Sequence, residues 1–203
     1  MEKAVQYLIQ KDKIFQQIID QFGFPEIIPS RPQGFETLVL LILEQQVSID
    51  SAKATFLRMR NAVTSIEPVR LVCLTEEDFR SFGVSRQKAK YIKCLSEAVL
   101  DKSIDLEGLS LKSSEEIRSE LIKVKGIGNW TIDVYLMFCL QHPNVLPLGD
   151  VAIVTTMKEL LDLHEKEPME EYAQLWSPYK TMASFLLWHY YLQKRGRKIT
   201  YQY

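Results

Sequence analysis

The sequence predicts an all-α fold. Three observations carry that prediction. Apolar residues recur at three- and four-residue steps along most of the 203 residues. Capping residues of the Ser/Thr-x-x-Asp/Glu kind stand ahead of those stretches. No segment alternates apolar and polar residues as a half-buried strand would. The length corresponds to about one to one-and-a-half average domains, enough for a sizeable core.

The elements follow in order. Val5, Leu8, Ile9, Phe15, Ile18, Ile19 and Phe22 line one face of an amphipathic first helix. Pro25, Pro29, Pro32 and Gly34 then break the chain into a loop. From Phe35 to about Gln46 runs a helix with no polar face, which implies burial on all sides. Ser48 caps a helix reaching about Val63, Thr75 with Asp78 caps a short one ending near Gly83, and Ser85 opens one through about Leu100. Ser113 with Glu116 forms a capping box for a helix reaching about Val124. Next come Lys125-Gly126-Ile127-Gly128-Asn129 and a helix from Trp130 to about Leu140. His142, Pro143 and Pro147 hold a loop, and Asp150 precedes a helix from Val151 to about Leu163. Two last helices, near Met169 to Trp176 and Pro178 to Gln193, lead into a basic end, giving roughly ten in all.

Composition narrows the function classes. Apolar residues make up 46% and charged residues 25%, which excludes a disordered tail, a collagen-like fibre and a disulfide scaffold. The longest apolar run, Leu38 to Leu43, is far short of the roughly 20 residues that cross a bilayer. Charges and glutamines within Met1 to Gln10 give no signal-peptide pattern, so an intracellular protein without membrane attachment is expected. Cys73, Cys94 and Cys139 stand singly, as reduced thiols do, and His142, His164 and His189 are dispersed. Neither a structural zinc site nor an iron–sulfur cluster fits that pattern. A net charge of −1 argues mildly against a nucleic-acid binder. Two basic clusters survive the average: Arg80, Arg86, Lys88, Lys90 and Lys93, and Lys194, Arg195, Arg197 and Lys198. Solvated helix faces and a phosphate-facing surface both account for them.

The segment Leu121 to Thr131 carries more information. A helix ends, Gly126 and Gly128 flank Ile127, and another helix begins at once. Glycine at both positions permits positive φ and close backbone approach, and Ile127 can plug the crevice between the two helices. The amides at the start of the second helix then form an anion site suited to a phosphate. This resembles the helix-hairpin-helix motif, which binds duplex DNA through its backbone without reading sequence. An ordinary αα-corner with glycine caps is the competing reading.

Further residues extend the resemblance across about Phe35 to Gln193. These are Leu43-Glu44-Gln45-Gln46-Val47-Ser48, then Leu146-Pro147-Leu148-Gly149-Asp150, then Trp176-Ser177-Pro178-Tyr179-Lys180 with Ala183 and Trp188. The ordered set resembles the helix-hairpin-helix DNA glycosylase superfamily, in particular its 3-methyladenine DNA glycosylase II branch. That resemblance implies a two-lobed helical fold with the active site in the cleft between lobes. One lobe would span about 35–146, with the helix-hairpin-helix at about 114–140, and the other about 1–34 plus 147–203.

The resemblance also assigns roles. Asp150 would be the catalytic carboxylate that stabilises an oxocarbenium-like sugar or activates water. As an N-cap it stands where a helix dipole favours the charged form. Trp130 and Trp188 would be walls of the base pocket, selecting cationic alkylated purines through cation–π contact, with a core aromatic on a buried helix as the competing reading of Trp188. Val134 stands where some relatives place a tyrosine, Tyr135 points about 100° away on the helix, and Asp133 reads as a solvated helix residue, with a second acid as the alternative. Gln46, with Gln45, would be the wedge that fills the gap left by the flipped base, with helix C-capping and ordinary side-chain hydrogen bonds as the competing reading. Lys125, Gly126, Ile127, Gly128 and Thr131 would hold a DNA phosphate. The main-chain carbonyls of Ile122, Val124 and Ile127 would hold a monovalent cation, Na+ or K+, with no other cofactor.

In relatives that also cut the strand, a lysine occupies the slot of Trp130 and attacks the sugar. Lys123 and Lys125 nearby read as phosphate or solvent contacts. The expectation is a monomeric, monofunctional DNA glycosylase acting on duplex DNA with alkylated purines in base excision repair. A glycosylase with lyase activity on oxidised bases and a non-catalytic helix-hairpin-helix module are the alternatives.

Overall fold

The structure, a computed structural model, describes residues 2–25 and 28–197. Lys198 of the terminal basic cluster lies outside the described residues. In chain order come α1 (Glu2–Lys11), α2 (Lys13–Phe22), α3 (Phe35–Glu44), α4 (Ile49–Val63), α5 (Pro68–Leu71), α6 (Glu76–Ser81) and α7 (Arg86–Leu100). Then follow α8 (Ser114–Leu121), α9 (Asn129–Phe138), α10 (Val151–Leu161), α11 (Lys166–Tyr172) and α12 (Lys180–Lys194). Short 3₁₀ turns cover Gly108–Leu111 and Ala173–Trp176. Among the described residues there is no strand, and no helix is long and apolar enough to cross a membrane.

The caps read from sequence do the work expected of them. The side chains of Ser48, Thr75, Ser85, Ser113 and Asp150 each accept a backbone amide in the first turn of the helix that follows. Thr75 with Asp78 and Ser113 with Glu116 close full capping boxes. These reciprocal bonds hold the Asp78 and Glu116 carboxyls below the usual carboxylate range.

Two departures have local causes. The single amphipathic helix expected over residues 5–22 is two helices, because Asp12 turns its side chain back to cap Ile14. Its other carboxylate oxygen accepts the indole N–H of the buried Trp176 at 3.0 Å. The apolar period continues across the break, so it hides the break. The four-residue α5 begins at Pro68 and is too short to show a period.

The described residues form two compact units, 31–135 and 2–30 with 136–197. Where the expected lobes are about 35–146 and about 1–34 plus 147–203, the second division lies within α9, at Tyr135/Leu136. The physical reason is Phe138, which stacks on Trp188 at 5.4 Å and leans on Phe185 at 5.6 Å. The last turn of α9 therefore joins the C-terminal core, a commitment that a loop-based reading misses.

In unit 31–135, α3 is the centre. Every side chain from Thr37 to Glu44 is buried, as its lack of a polar face predicts, and α4 and α7 pack against it. The buried Glu44 carboxylate is met by Arg31 through two bonds of 2.8 Å. In the other unit, Leu8, Phe15, Ile18, Ile153, Met157, Trp176, Leu186 and Leu187 build the core. Trp176 meets Phe15 edge-to-face at 5.2 Å. Burial, reinforced by Asp12, pushes the neighbouring Tyr172 hydroxyl up to about 12.

The Arg31–Glu44 pair yields a stability prediction. Both side chains are about 5% exposed, so removing one partner strands a buried charge. Glu44→Gln should cost about 3–5 kcal/mol in urea unfolding, whereas the double variant Arg31→Met/Glu44→Leu should lie closer to wild type. A single-variant loss under about 1 kcal/mol would mean that the pair is well hydrated.

Candidate active site and hairpin

Asp150 sits at the head of α10, after a turn closed by its own amide and the Pro147 carbonyl at 2.9 Å. The loop leading to it is stitched to α12. Thr181 donates its hydroxyl to the His142 carbonyl at 2.6 Å and accepts the Val145 amide at 3.1 Å. Ser184 donates to the Val145 carbonyl. These bonds fix where α10 begins and hence where the carboxylate stands. The carboxylate oxygen Oδ1 accepts the amides of Ala152 (2.9 Å) and Ile153 (3.3 Å) and the indole N–H of Trp188 (2.9 Å). Three N–H donors therefore orient one carboxylate, and the side chain stays partly exposed.

Trp188, expected from resemblance as a pocket wall, is thus also the hydrogen-bond donor that aims Asp150. Phe138 covers one of its ring faces. The sequence reading missed this bond because residues 38 positions apart on different helices leave no spacing signal.

The hairpin lies in unit 31–135. Gly126 has φ +97, and an added Cβ would stand 2.1 Å from the Tyr91 ring carbon Cγ. Glycine is therefore obligatory there on two counts. Gly128 departs from the expectation: its φ is not positive, it is exposed, and a Cβ would meet nothing within 4 Å. The plug role of Ile127 fits its burial, at 3% exposure, while Lys123 and Lys125 are exposed. Thr131, expected among the phosphate contacts, is instead buried, and its hydroxyl accepts Gln45 Nε2 at 3.1 Å. Trp130 is half-buried at the start of α9.

Asp133 is another correction. It is buried rather than solvated, and it pairs with Arg118, whose guanidinium also donates to Asn129 at 2.9 Å. Burial pushes its carboxyl above the ordinary range, against the pull of Arg118. The pair clamps α8 to the first turns of α9. Val134 and Tyr135 are both buried, and the Tyr135 hydroxyl accepts the Gly34 amide at 2.8 Å.

The carbonyls of Ile122, Val124 and Ile127 lie in the connection between α8 and α9. There Val124 N donates to Leu121 O at 3.1 Å, and Ile127 N donates to Val124 O at 3.0 Å. Three neutral oxygen donors suit a hard cation of low charge, and the Val124 oxygen keeps a second lone pair for it.

The wedge candidates stand on the connection from α3 to α4. Gln45 has φ −58 and ψ 123, Gln46 has φ +58, and the Val47 amide reaches the Glu44 carbonyl at 3.4 Å. Together these define a type II turn. Gln46 is exposed at its tip, whereas the Gln45 amide faces inward to the hairpin. A cavity of about 380 Å³ borders the turn, lined among others by Leu43, Gln46, Gln87, Lys88 and Tyr91. Lys88 splits from the basic cluster that contains it. It is half-buried and donates to the Leu43 carbonyl at 2.7 Å, and burial lowers its pKa. Arg86 is exposed and pairs with Glu76.

The chain is similar to known proteins along most of its length. Over 198 residues it is 26% identical to DNA-3-methyladenine glycosylase 1 of Schizosaccharomyces pombe, covering 93% of this chain and 86% of that one. A crystal structure of a DNA-3-methyladenine glycosidase from Bacillus halodurans superposes with a TM-score of 0.80 at 30% identity, covering 95% and 91% of the two chains. The S. pombe 3-methyladenine DNA glycosylase in complex with abasic DNA gives a TM-score of 0.82 at 25% identity, covering 92% and 95%. The family model of the HhH-GPD superfamily of base excision DNA repair proteins matches residues 39–181. That span holds the α3–α4 turn, the hairpin, Asp150 and the start of α12, and the chain belongs to this superfamily.

Proposed function

We propose that the chain is a monofunctional DNA glycosylase that hydrolyses the N-glycosidic bond of alkylated purines in duplex DNA. One observation carries the reading: the Asp150 carboxylate, fixed by three N–H donors, in a chain whose hairpin presents Trp130 where a lyase needs lysine. The names of the relatives support the substrate class.

The chemistry then runs as follows. Exposed Gln46 enters the stack as the base leaves it. A purine alkylated at N3 or N7 carries positive charge and is already a good leaving group. The half-buried face of Trp130 favours such a base through cation–π attraction of about 0.5–2 kcal/mol. The C1′–N bond breaks with its electron pair going to the base, which departs neutral. Asp150 stabilises the oxocarbenium-like sugar. Water adds at C1′ and loses a proton, leaving an abasic site on an intact strand. A monovalent cation on the Ile122, Val124 and Ile127 carbonyls would add positive charge near the phosphate that the hairpin amides hold.

Asp150→Asn should abolish release of free methylated base from methylated duplex while DNA binding is kept or tightened. Unchanged turnover in that variant would sink the assignment. Trp188→Phe keeps an aromatic ring beside Phe138 and removes one of the three donors, so single-turnover release should fall on the order of tenfold.

The two hairpin glycines should separate. Gly128→Ala should fold normally and weaken binding to all duplexes alike, with the remaining affinity still falling with salt. Gly126→Ala should first lower thermal stability, since the Tyr91 ring blocks the Cβ. Borohydride added during turnover should trap no protein–DNA adduct, because no amine attacks the sugar carbon. Efficient trapping would return the lyase reading.

A further inference from the structure

From the hydrogen bonds at the α3–α4 turn, we infer that Gln45 is a positioning residue that holds the wedge turn in fixed register with the DNA-binding hairpin. The inference rests on the glycosylase reading for its consequence, but its geometry stands apart from it. Gln45 Nε2 donates to the Gly126 carbonyl at 2.8 Å and to Thr131 Oγ1 at 3.1 Å, which uses both of its hydrogens. A carbonyl can only accept, so the amide nitrogen rather than the oxygen faces the hairpin. The contacts span 81 and 86 residues of sequence and join two segments that no other feature of the sequence links.

Each end of this bridge is itself held. At the turn, Glu44 is pinned by Arg31, and the Leu43 carbonyl takes the Lys88 ammonium. At the hairpin, Gly126 lies against the Tyr91 ring at positive φ, and Thr131 is 1% exposed in the first turn of α9. Gln45 therefore ties two stiff parts and does not merely fill space.

A glycosylase needs such a tie. The hairpin grips the strand at a phosphate while the wedge must enter the stack at one particular step. If the two devices move independently, the duplex is still bound but the wedge is presented at the wrong place. Loss of Gln45 therefore falls on base extrusion and leaves backbone affinity in place. Glutamine suits the position because glutamate of the same length has no hydrogen to offer, and asparagine is one methylene shorter.

Two measurements test this on the intact chain. In amide hydrogen exchange of the free protein, Gln45→Met should speed exchange at residues 126–128 severalfold, and Thr131→Val should speed it at 46–48. Thr131→Ser, which keeps the hydroxyl, should restore the wild-type pattern. Hairpin exchange within about twofold of wild type in Gln45→Met would overturn the proposal. In single-turnover assays on methylated duplex, Gln45→Met should lose base release on the order of tenfold while the Kd for an abasic-site duplex changes by less than about threefold. Equal losses in both would also overturn it, since they would mean a general binding defect. A wild-type protein that releases no methylated base would refute the glycosylase reading, while the exchange pattern would still decide the coupling.

Discussion

The buried end of α3 is the constraint on which unit 31–135 is built. A helix leaves its last carbonyls without intrahelical partners, and here those carbonyls lie inside the protein. Three of them are satisfied from different sources. Ile42 O takes the Gln45 amide, Leu43 O takes Lys88, and Glu44 O takes Val47 through the turn. The Glu44 side chain adds a buried negative charge that Arg31 must answer. Each of these requirements fixes a neighbour: the loop ahead of α3, the first turn of α7, and the turn into α4. The turn that carries Gln46 stands where it does because the helix must stop there.

The same logic builds the carboxylate in the other unit. Asp150 satisfies the free amides at the head of α10, and that duty aims its side chain. Trp188 adds a third donor from α12, the helix to which the preceding loop is bonded. A cap that must be rigid to stabilise a helix holds its own carboxylate equally rigid.

Much of this was legible in the sequence, and what was not has a common cause. Caps are local, so Ser48, Thr75, Ser85, Ser113 and Asp150 could be read from spacings of two or three residues. The burial of α3 followed from its composition. Asp12 was missed because a helix break that keeps the apolar period looks continuous. The internal partners of Gln45, Asp133 and Lys88 were not legible because they sit 15 or more positions away: Gly126, Arg118 and Leu43. A polar side chain near a motif suggests solvent or ligand until the fold supplies an internal partner. Gly128 erred in the other direction: two glycines in one short motif invite one explanation, but only Gly126 meets a steric demand from the chain itself.

Gln46 completes the argument about the turn. The second central position of a type II turn favours glycine, because a side chain at positive φ costs roughly 1–2 kcal/mol. Gln46 occupies it at φ +58 with its side chain exposed. The adjacent Gln45 spends its amide on the hairpin, and Glu44 spends its carboxylate on Arg31. Of three consecutive polar residues, two are committed inward and hold the turn, and the third is carried outward in a strained conformation. Strain at an exposed tip persists because the surrounding bonds over-determine the turn.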